Sequence, residues 1–360
     1  MVFLIILSVL FLVFAFYKSS NLFFSGALIF IMWILFAFSS KTADHLIYER
    51  RYYNNSIEST EPLFNLLVNL SNKCGLSLQT FIFLMATIFI IVLYWFLSDV
   101  NLSIIHKGFV ISLYFIYPFS MDLIQLRNTM SFIPILIGIK FLVANKKQSD
   151  VMFFFFLTLS VFLHYSGVFY IFLWIVKKIN LKQTILVTSI TILLISTLSN
   201  FKEILIYLAS KIGAGSKITT VLSNAIMQQD DTINGTKYMM IITFIISILL
   251  LIYVYKKTLN HFVLYVIKLN ILLLTIVPLL DYAVDLFRIQ RYLLILVYVS
   301  LSYYLVKNSD NIYSKYSAKM LLFKIITLLV PICGLYINIV HSGIFTIVFE
   351  PIFKNNILFK

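Results

Sequence analysis

Long apolar runs follow one another along almost the whole chain, and they constrain its fold more than any other feature. Charged or turn-forming residues separate these runs, which lie at about 2–16, 22–38, 79–97, 108–120, 129–144, 151–163, 167–176, 182–199, 237–255, 261–280, 289–306 and 320–340. A segment of about 20 apolar residues can cross a bilayer, and its backbone groups must then be hydrogen-bonded within the segment. The sequence therefore predicts an all-α polytopic membrane protein with about twelve transmembrane or half-spanning helices.

The composition excludes the soluble alternatives. Only 12% of the 360 residues are charged and 61% are hydrophobic, whereas soluble chains carry about 25% charged residues. Such a chain cannot cover a water-facing surface, so a water-soluble catalytic or nucleic-acid-binding domain is excluded. We predict a single integral-membrane domain over residues 1–360, with external polar segments at 39–78 and 200–236. The opening run Val2 to Phe16 has no basic n-region before it and no small-residue cleavage site, which favours an uncleaved first span.

The net charge of +14 is better explained by membrane topology than by nucleic-acid binding. Short lysine-rich loops are typical of the cytoplasmic face. Runs 151–163 and 167–176 are flanked by Lys146–Lys147 and Lys177–Lys178, and they form either one long tilted span or a hairpin with its tip at 164–167. We favour the hairpin, because it leaves both lysine pairs in the cytoplasm and both chain termini outside.

With that topology, the short lysine-rich loops lie on the cytoplasmic face and every arginine lies on the external face. Eleven of the 14 acids join the arginines on the external face, and the arginines are Arg50, Arg51, Arg127, Arg288 and Arg291. The guanidinium is a planar, permanently charged fork suited to phosphate and carboxylate. The predicted chemistry therefore lies on the external face.

The strongest local signal is a polar interruption in an apolar stretch. Asp122, Gln125, Arg127 and Asn128 lie in a sequence that is otherwise apolar as far as Val143. Ionisable groups in or near a span are costly unless they are paired or face a cavity, so function is the default hypothesis. The structural alternative is an ion pair between Asp122 and Arg127.

A second polar segment follows Pro278 at the end of a span. If this segment is helical, Asp281 and Asp285 are spaced i, i+4, and Arg288 and Arg291 are spaced i, i+3 on a neighbouring face. Arginines at the mouth of a span can hold a pyrophosphate while the acids order them. The structural alternative is a capped helix end with compensating charges.

Three further positions are candidates for acid–base chemistry. Asp44 and Tyr48 are one helical turn apart, Glu61 precedes Pro62 at the start of an amphipathic segment, and His164 lies at the hairpin tip. Glu61 is either a general base or an acid favoured by the helix dipole. His164 is either a base or phosphate donor or an interfacial hydrogen-bonding group. The sequence has no DxD motif, which is compatible with a lipid-diphosphate donor and with chemistry that needs no metal or cofactor.

The order of these motifs resembles the EpsG family of exopolysaccharide polymerases, which are related to the Wzy O-antigen and capsule polymerases. The resembling elements are Thr42-Ala-Asp44 with Tyr48, Glu61-Pro-Leu-Phe-Asn65, Gln125-Leu-Arg127, Phe162-Leu-His164-Tyr-Ser166, Phe287-Arg288 with Arg291-Tyr292, and Glu350-Pro351-Ile-Phe353. The sequence departs from the family pattern at Lys41, Ala43, Leu63 and Asn128. The resemblance runs nearly from end to end.

The resemblance implies a multispanning, metal-independent glycosyltransferase with a GT-C-like helical bundle in the bacterial cytoplasmic (inner) membrane. It would move a growing glycan from undecaprenyl diphosphate onto an incoming lipid-linked repeat unit on the external, periplasmic side. Its partners would be undecaprenyl-diphosphate-linked oligosaccharides, the lipid bilayer, a chain-length regulator and a flippase, with no nucleic acid. The alternative function is a flippase or transporter of lipid-linked oligosaccharides.

Under the polymerase hypothesis, each candidate residue has a role. Asp44 or Glu61 is the base, with His164 assisting. Arg127, Arg288 and Arg291 bind the diphosphate. The supporting residues at the substrate site are Tyr48, Gln125, Asp281 and Asp285.

Overall fold

The computed structural model describes residues 2–54, 61–98, 106–144, 148–197, 207, 231–281, 286–309, 318–341, 343 and 345–359. Within these ranges the chain is helical, and its only β-type pairing is one antiparallel bridge between Ser39 and Asn356. In the described part of the chain, six helices are long and apolar enough to cross a membrane, and five more apolar helices are shorter. The all-α polytopic prediction is confirmed.

The helices follow the apolar runs closely. In chain order they are α1 (Val2–Tyr17), α2 (Leu22–Ala37), α3 (His45–Asn54), α4 (Pro62–Lys73), α5 (Leu78–Leu97), α6 (Lys107–Ile116), α7 (Phe119–Ile124), α8 (Leu126–Ala144), α9 (Ser149–Leu163), α10 (Ile171–Lys178), α11 (Leu181–Thr197), α12 (Asp231–Thr258), α13 (His261–Leu273), α14 (Phe287–Ser309), α15 (Ala318–Thr327), α16 (Leu329–Leu335) and α17 (Phe345–Lys354). Short 3₁₀-helices cover Tyr165–Tyr170, Leu274–Asp281 and Ile357–Phe359, and a π-helical turn covers Tyr336–His341.

Capping residues begin several of these helices. Asn21 accepts a hydrogen bond from the Phe23 N–H at 2.9 Å, and Ser77 accepts from the Thr80 N–H at 3.1 Å. Asn260 does the same for Phe262 at 2.8 Å. A side-chain oxygen at this position satisfies a backbone donor that the helix itself leaves without a partner. These three caps lie directly before the first residues of α2, α5 and α13.

The two short apolar runs at 151–163 and 167–176 form a hairpin. Helix α9 ends at Leu163, the chain turns through His164 and the 3₁₀-helix, and α10 runs back. At the far end of the hairpin the Lys177 amine donates to Asp150 Oδ1 at 3.1 Å, and Lys178 also pairs with Asp150. The start of α9 and the end of α10 therefore lie at the same level, which confirms the hairpin prediction.

Two helices form the centre of the bundle. In an 18-residue window within Arg288–Asn308 of α14, 89% of the residues are buried inside the protein, and α8 is the next most enclosed candidate span. Helix α8 packs against α5 and α9, while α14 packs against α6 and α12. Polar groups at the ends of these two helices are therefore shielded from lipid and positioned by rigid neighbours.

Lysines gather at one end of the bundle and bind the ends of helices there. The Lys324 amine donates to the backbone oxygens of Phe16 at 2.8 Å and Tyr17 at 3.0 Å, at the end of α1. Lys268 donates to the Val176 and Ile179 oxygens, both at 2.7 Å, at the end of α10. A cation is favourable at a helix C-terminus because the macrodipole is negative there.

The opposite end of the bundle carries α3 and α4 as a small cap. The Tyr52 hydroxyl donates to the Leu76 oxygen at 2.8 Å, and the Asn72 amide donates to the Tyr52 oxygen at 2.5 Å. Helix α4 buries Phe64 and Val68 and exposes Leu66, as expected of an amphipathic helix lying along the membrane interface. This cap holds the first acidic and basic groups of the candidate site.

Most of the second predicted external segment, 200–236, lies outside the described residues. Its last six residues form the first turns of α12. The lid or substrate-loop interpretation of this segment stays a prediction.

Candidate active site

Glu61 is the centre of the first polar cluster. Its side chain is fully buried and lies just before α4. Oxygen Oε2 accepts from Arg127 Nη1 at 2.8 Å and from Arg51 Nη1 at 3.2 Å, while Oε1 lies in very close contact with Nδ1 of His164. One carboxylate thus joins groups from α3, α8 and the hairpin tip.

The environment keeps Glu61 ionised. Burial raises the pKa of this carboxyl, but the hydrogen bond with His164 and the positive charge of Arg127 outweigh burial and lower the pKa to about 2. Burial also lowers the pKa of His164, against the opposing effect of Glu61. At neutral pH the pair is therefore a carboxylate and a neutral imidazole.

This protonation state fixes the tautomer of His164. An ionised carboxylate can only accept hydrogen bonds, so Nδ1 must carry the ring proton and donate it to Glu61. Nitrogen Nε2 is then the unprotonated atom, and it makes no hydrogen bond to any described residue. A carboxylate that orients a histidine in this way is the arrangement that prepares an imidazole to act as a base.

Arg127 is held between two helices. It lies in the first turn of α8, its backbone N–H approaches the Tyr48 hydroxyl at 3.4 Å, and its guanidinium lies 5.9 Å from the centre of the Tyr48 ring. The side chain remains about 20% exposed. Arg127 is thus anchored on one side and accessible to a ligand on the other.

The cluster carries an excess of positive charge. Arg51 and Arg127 share a single carboxylate, and the charge of Arg288 also acts on His164. Three guanidiniums and one carboxylate leave a net charge of +2, which becomes +1 if the Asp44 carboxylate, whose charge acts on Tyr48, is included. An anion is the natural counterpart of this surplus.

A second polar cluster lies beside the first and is fully enclosed. Arg291 Nε pairs with Asp122 Oδ1 at 3.3 Å, and both side chains are at most 1% exposed. Asp122 Oδ2 accepts from the Tyr114 hydroxyl at 2.6 Å. Arg291 Nη2 donates to the Tyr292 hydroxyl at 3.0 Å and, over a very short distance, to Gln125 Oε1.

The structure brings most of the predicted site residues together. Glu61, His164 and Arg127 are in direct contact, Tyr48 contacts Arg127, and Gln125 contacts Arg291. Asp44 is half-buried at the start of α3, where its backbone oxygen accepts from Tyr48 N at 3.1 Å. Asp285 lies outside the described residues, as does the side chain of Asp281.

The structural alternative for the first polar segment, an ion pair between Asp122 and Arg127, does not form: Asp122 pairs with Arg291 and Arg127 pairs with Glu61. Glu61 does lie at the N-terminus of α4, as the helix-dipole interpretation expects, but its side chain makes no cap hydrogen bond and binds three tertiary partners. These partners could not be predicted, since local spacing cannot identify a partner from another helix.

Sequence reasoning missed several members of the two clusters. Arg51 was recognised as an external arginine, yet its i, i+3 spacing from Tyr48 would have placed it on the same face of α3. Tyr114 gave no signal of its own, and Ser166 was part of a resembling element but was given no role. Asp122 lay within the strongest polar segment but was assigned no functional role.

The comparisons with known proteins give one match. The model of the EpsG family matches residues 22–349. No curated protein and no solved structure matches the chain. The likeness to GT-C folds therefore stays a prediction.

Proposed function

We propose, on the premise that the chain belongs to the EpsG family, that it polymerises a glycan by transfer from undecaprenyl diphosphate to an incoming lipid-linked repeat unit. Membership confirms the sequence resemblance, and at the level of the family it implies a membrane-bound exopolysaccharide polymerase of the glycosyltransferase type. The donor, the acceptor and the roles of individual residues are the proposal.

The observation that carries this proposal is the cluster around Glu61. It combines an oriented, neutral histidine with a surplus of guanidinium charge in one buried place. A glycosyl transfer from a lipid diphosphate requires both, because a base must take the acceptor proton and cations must stabilise the departing diphosphate. A transporter would need the cations but not the oriented base.

The proposed reaction forms one carbon–oxygen bond, breaks another and moves one proton. The acceptor hydroxyl oxygen attacks the anomeric carbon of the donor glycan, and the bond between that carbon and the diphosphate oxygen breaks. The hydroxyl proton passes to Nε2 of His164, and the electron pair of the broken bond leaves with undecaprenyl diphosphate. Arg127 and Arg288, assisted by Arg51, balance the charge that develops on this leaving group.

Among the three candidate bases, the geometry favours His164. Glu61 is a weak base, since its pKa is about 2 and its oxygens are occupied by two arginines and the imidazole. Asp44 has no hydrogen bond to Glu61 or His164. We therefore assign Glu61 the role of orienting His164, and we assign Asp44, whose charge acts on Tyr48, no part in the proton transfer.

The proposed membrane arrangement follows from the distribution of charge. The clusters lie at the end of the bundle opposite Lys268, Lys324 and the lysine pair at the end of α10. Short lysine-rich loops are typical of the cytoplasmic face. We propose that the site opens to the external, periplasmic side of the cytoplasmic membrane, where a flippase delivers lipid-linked units and a chain-length regulator acts on the product. The reaction is proposed to need neither a metal nor a cofactor.

The test is reconstitution of the full chain in liposomes with lipid-linked repeat units isolated from cells that lack the polymerase. We expect a ladder of products on a gel, and we expect the ladder to disappear in Arg127→Ala and in Arg288→Ala at unchanged protein level. Arg50→Ala is the matched control, because Arg50 is an exposed neighbour of Arg51 on α3 and lies outside both clusters. Translocation of the lipid-linked unit without any ladder would overturn the proposal.

Orientation is tested separately by cysteine labelling in intact cells. Glu49 on α3 and Lys257 near the end of α12 are both exposed and lie at opposite ends of the bundle. In a background with Cys74→Ser and Cys333→Ser, an impermeant maleimide is expected to label Glu49→Cys and to leave Lys257→Cys unlabelled. The reverse pattern contradicts an external site.

A further inference from the structure

We infer that Arg291 is a positioning residue that acts on His164 through Gln125, Asn128 and Ser166, and that it does not contact the diphosphate. This inference rests on the proposed function, in which His164 is the base. It changes the role that sequence reasoning gave to Arg291, which was that of a diphosphate ligand.

The burial of Arg291 separates it from the other arginines of the site. Arg127 is about 20% exposed, whereas Arg291 is 1% exposed and pairs with an equally buried Asp122. To reach a phosphate, Arg291 would have to leave Asp122 behind as a buried, uncompensated carboxylate. Such a separation is strongly unfavourable in a low-dielectric interior, so the pair remains together.

A continuous line of hydrogen bonds connects this pair to the hairpin tip. Gln125 Oε1 accepts from Arg291 Nη2 and, at 3.2 Å, from Asn128 Nδ2. Asn128 Oδ1 in turn accepts from the Ser166 hydroxyl at 3.0 Å. Ser166 is two residues after His164 and is part of the same turn.

The charge of Arg291 sets the direction of every bond in this line. A guanidinium can only donate, so Gln125 must present its oxygen to Arg291. That oxygen also receives Asn128, which must therefore point its NH₂ group towards Gln125 and its oxygen towards Ser166. A single buried charge thus determines the orientation of two amides and of the hydroxyl next to the base.

A second contact fixes the other side of His164 without involving Arg291. The hydroxyls of Ser131 and Ser160 lie 3.0 Å apart, and the backbone oxygen of Ser160 accepts from the His164 N–H at 2.9 Å. The hairpin tip is therefore fastened to α8 at two points, before and after the histidine. Only the Ser166 contact is connected to Arg291 by hydrogen bonds. Ser131→Ala, which removes the other contact, is therefore a matched control.

The first test observes His164 directly and does not require activity. In protein labelled with ring-¹⁵N histidine, the His164 signals are identified by their loss in His164→Gln. We expect wild-type His164 to be the Nδ1–H tautomer, because Nδ1 donates to Glu61. We expect Arg291→Lys and Ser166→Ala each to loosen the hairpin tip so that the imidazole turns away from Glu61 and the Nε2–H tautomer is also populated. Lysine keeps the charge beside Asp122 but lacks the planar fork, and Ser166→Thr, which keeps the hydroxyl, restores the wild-type spectrum.

Activity measurements then separate positioning from diphosphate binding. Arg291→Lys and Ser166→Ala are each expected to lower kcat by roughly tenfold to a hundredfold without raising KM for the lipid-linked donor. The double variant is expected to be no slower than the slower single variant, because both changes break one line of bonds. Ser131→Ala combined with Arg291→Lys is expected to multiply the two losses.

The two hypotheses fail in different ways. The inference about Arg291 is overturned if Arg291→Lys leaves the His164 tautomer unchanged, or if it raises the donor KM and multiplies with Ser166→Ala. The proposed function is overturned if the wild-type chain moves lipid-linked units without extending them. The tautomer measurement tests the positioning role of Arg291 whether or not the chain extends lipid-linked units.

Discussion

Replacing Glu61 by glutamine tests the central arrangement of the site, because an amide can satisfy only one of its two sides. Oε2 receives Arg127 and Arg51 at 2.8 and 3.2 Å, and Oε1 receives His164. The introduced amide has a single oxygen. Two hydrogen bonds to charged groups, worth about 1.5–3 kcal/mol each, favour turning that oxygen towards the arginines.

The NH₂ group of the amide then faces Nδ1 of His164. A donor in that position requires Nδ1 to accept, so the ring proton moves to Nε2 and the base is blocked. The expected loss is the whole contribution of general base catalysis, which is roughly 10²–10⁴-fold in kcat, or about 2.7–5.4 kcal/mol of transition-state stabilisation. The donor KM should change much less than kcat, because both arginines keep an acceptor.

The assay is the initial rate of ladder formation with purified lipid-linked units, with gel filtration in detergent to show that each variant remains folded. Glu61→Asp keeps both acceptor oxygens and should retain more activity than Glu61→Gln. Glu49→Gln, an exposed change on α3, should match wild type. A folded Glu61→Gln protein with kcat within about tenfold of wild type would show that His164 is not the base oriented by Glu61.

The other predictions concern pH and stability. The rate should fall as the pH drops through the lowered pKa of His164, which lies below 6.5, because only the neutral ring can accept a proton. The stability that Glu61 contributes should be present above pH 4.5 and be lost between pH 4.5 and about 2, since its folded-state pKa is lowered from 4.5 to about 2. Gly167→Ala should lower the thermal unfolding midpoint in detergent and cost about 1–3 kcal/mol, because the added carbon would lie 2.8 Å from the Ser160 backbone carbon. Gly26→Ala, with nothing within 4 Å of the added carbon, should not. Lys324→Met should lower the same midpoint by removing the donors to the end of α1, whereas the exposed Lys319→Met should leave it unchanged.

The helices could be predicted from the sequence because lipid leaves the backbone few alternatives. The run at 22–38 became Leu22–Ala37, and the run at 79–97 became Leu78–Leu97. The hairpin was also predictable, since its two lysine pairs needed the same side of the membrane. Helix ends were less certain: the run at 108–120 ends as a helix at Ile116, before Pro118, and the chain continues as the separate helix α7.

It was easier to predict which residues belong to the site than which of them pair with each other. Glu61, Arg127 and His164 were recognised as unusual because charged or titratable groups are scarce in such a chain. Their pairing could not be predicted, because Glu61 and His164 are 103 residues apart and any of several acids could have met any of the arginines. The pairing depends on which side chains are buried together, and this depends on how whole helices pack.

The lysines that bind the ends of helices have a consequence for the order of assembly. The carbonyls at the end of α1 receive the Lys324 amine from a position more than 300 residues later in the chain. During synthesis, the end of the first helix therefore lacks this cation until almost all of the protein has been made. Final packing of α1 follows insertion of α15, and truncation before residue 324 should leave the N-terminal helix inserted but loosely attached to the rest of the bundle.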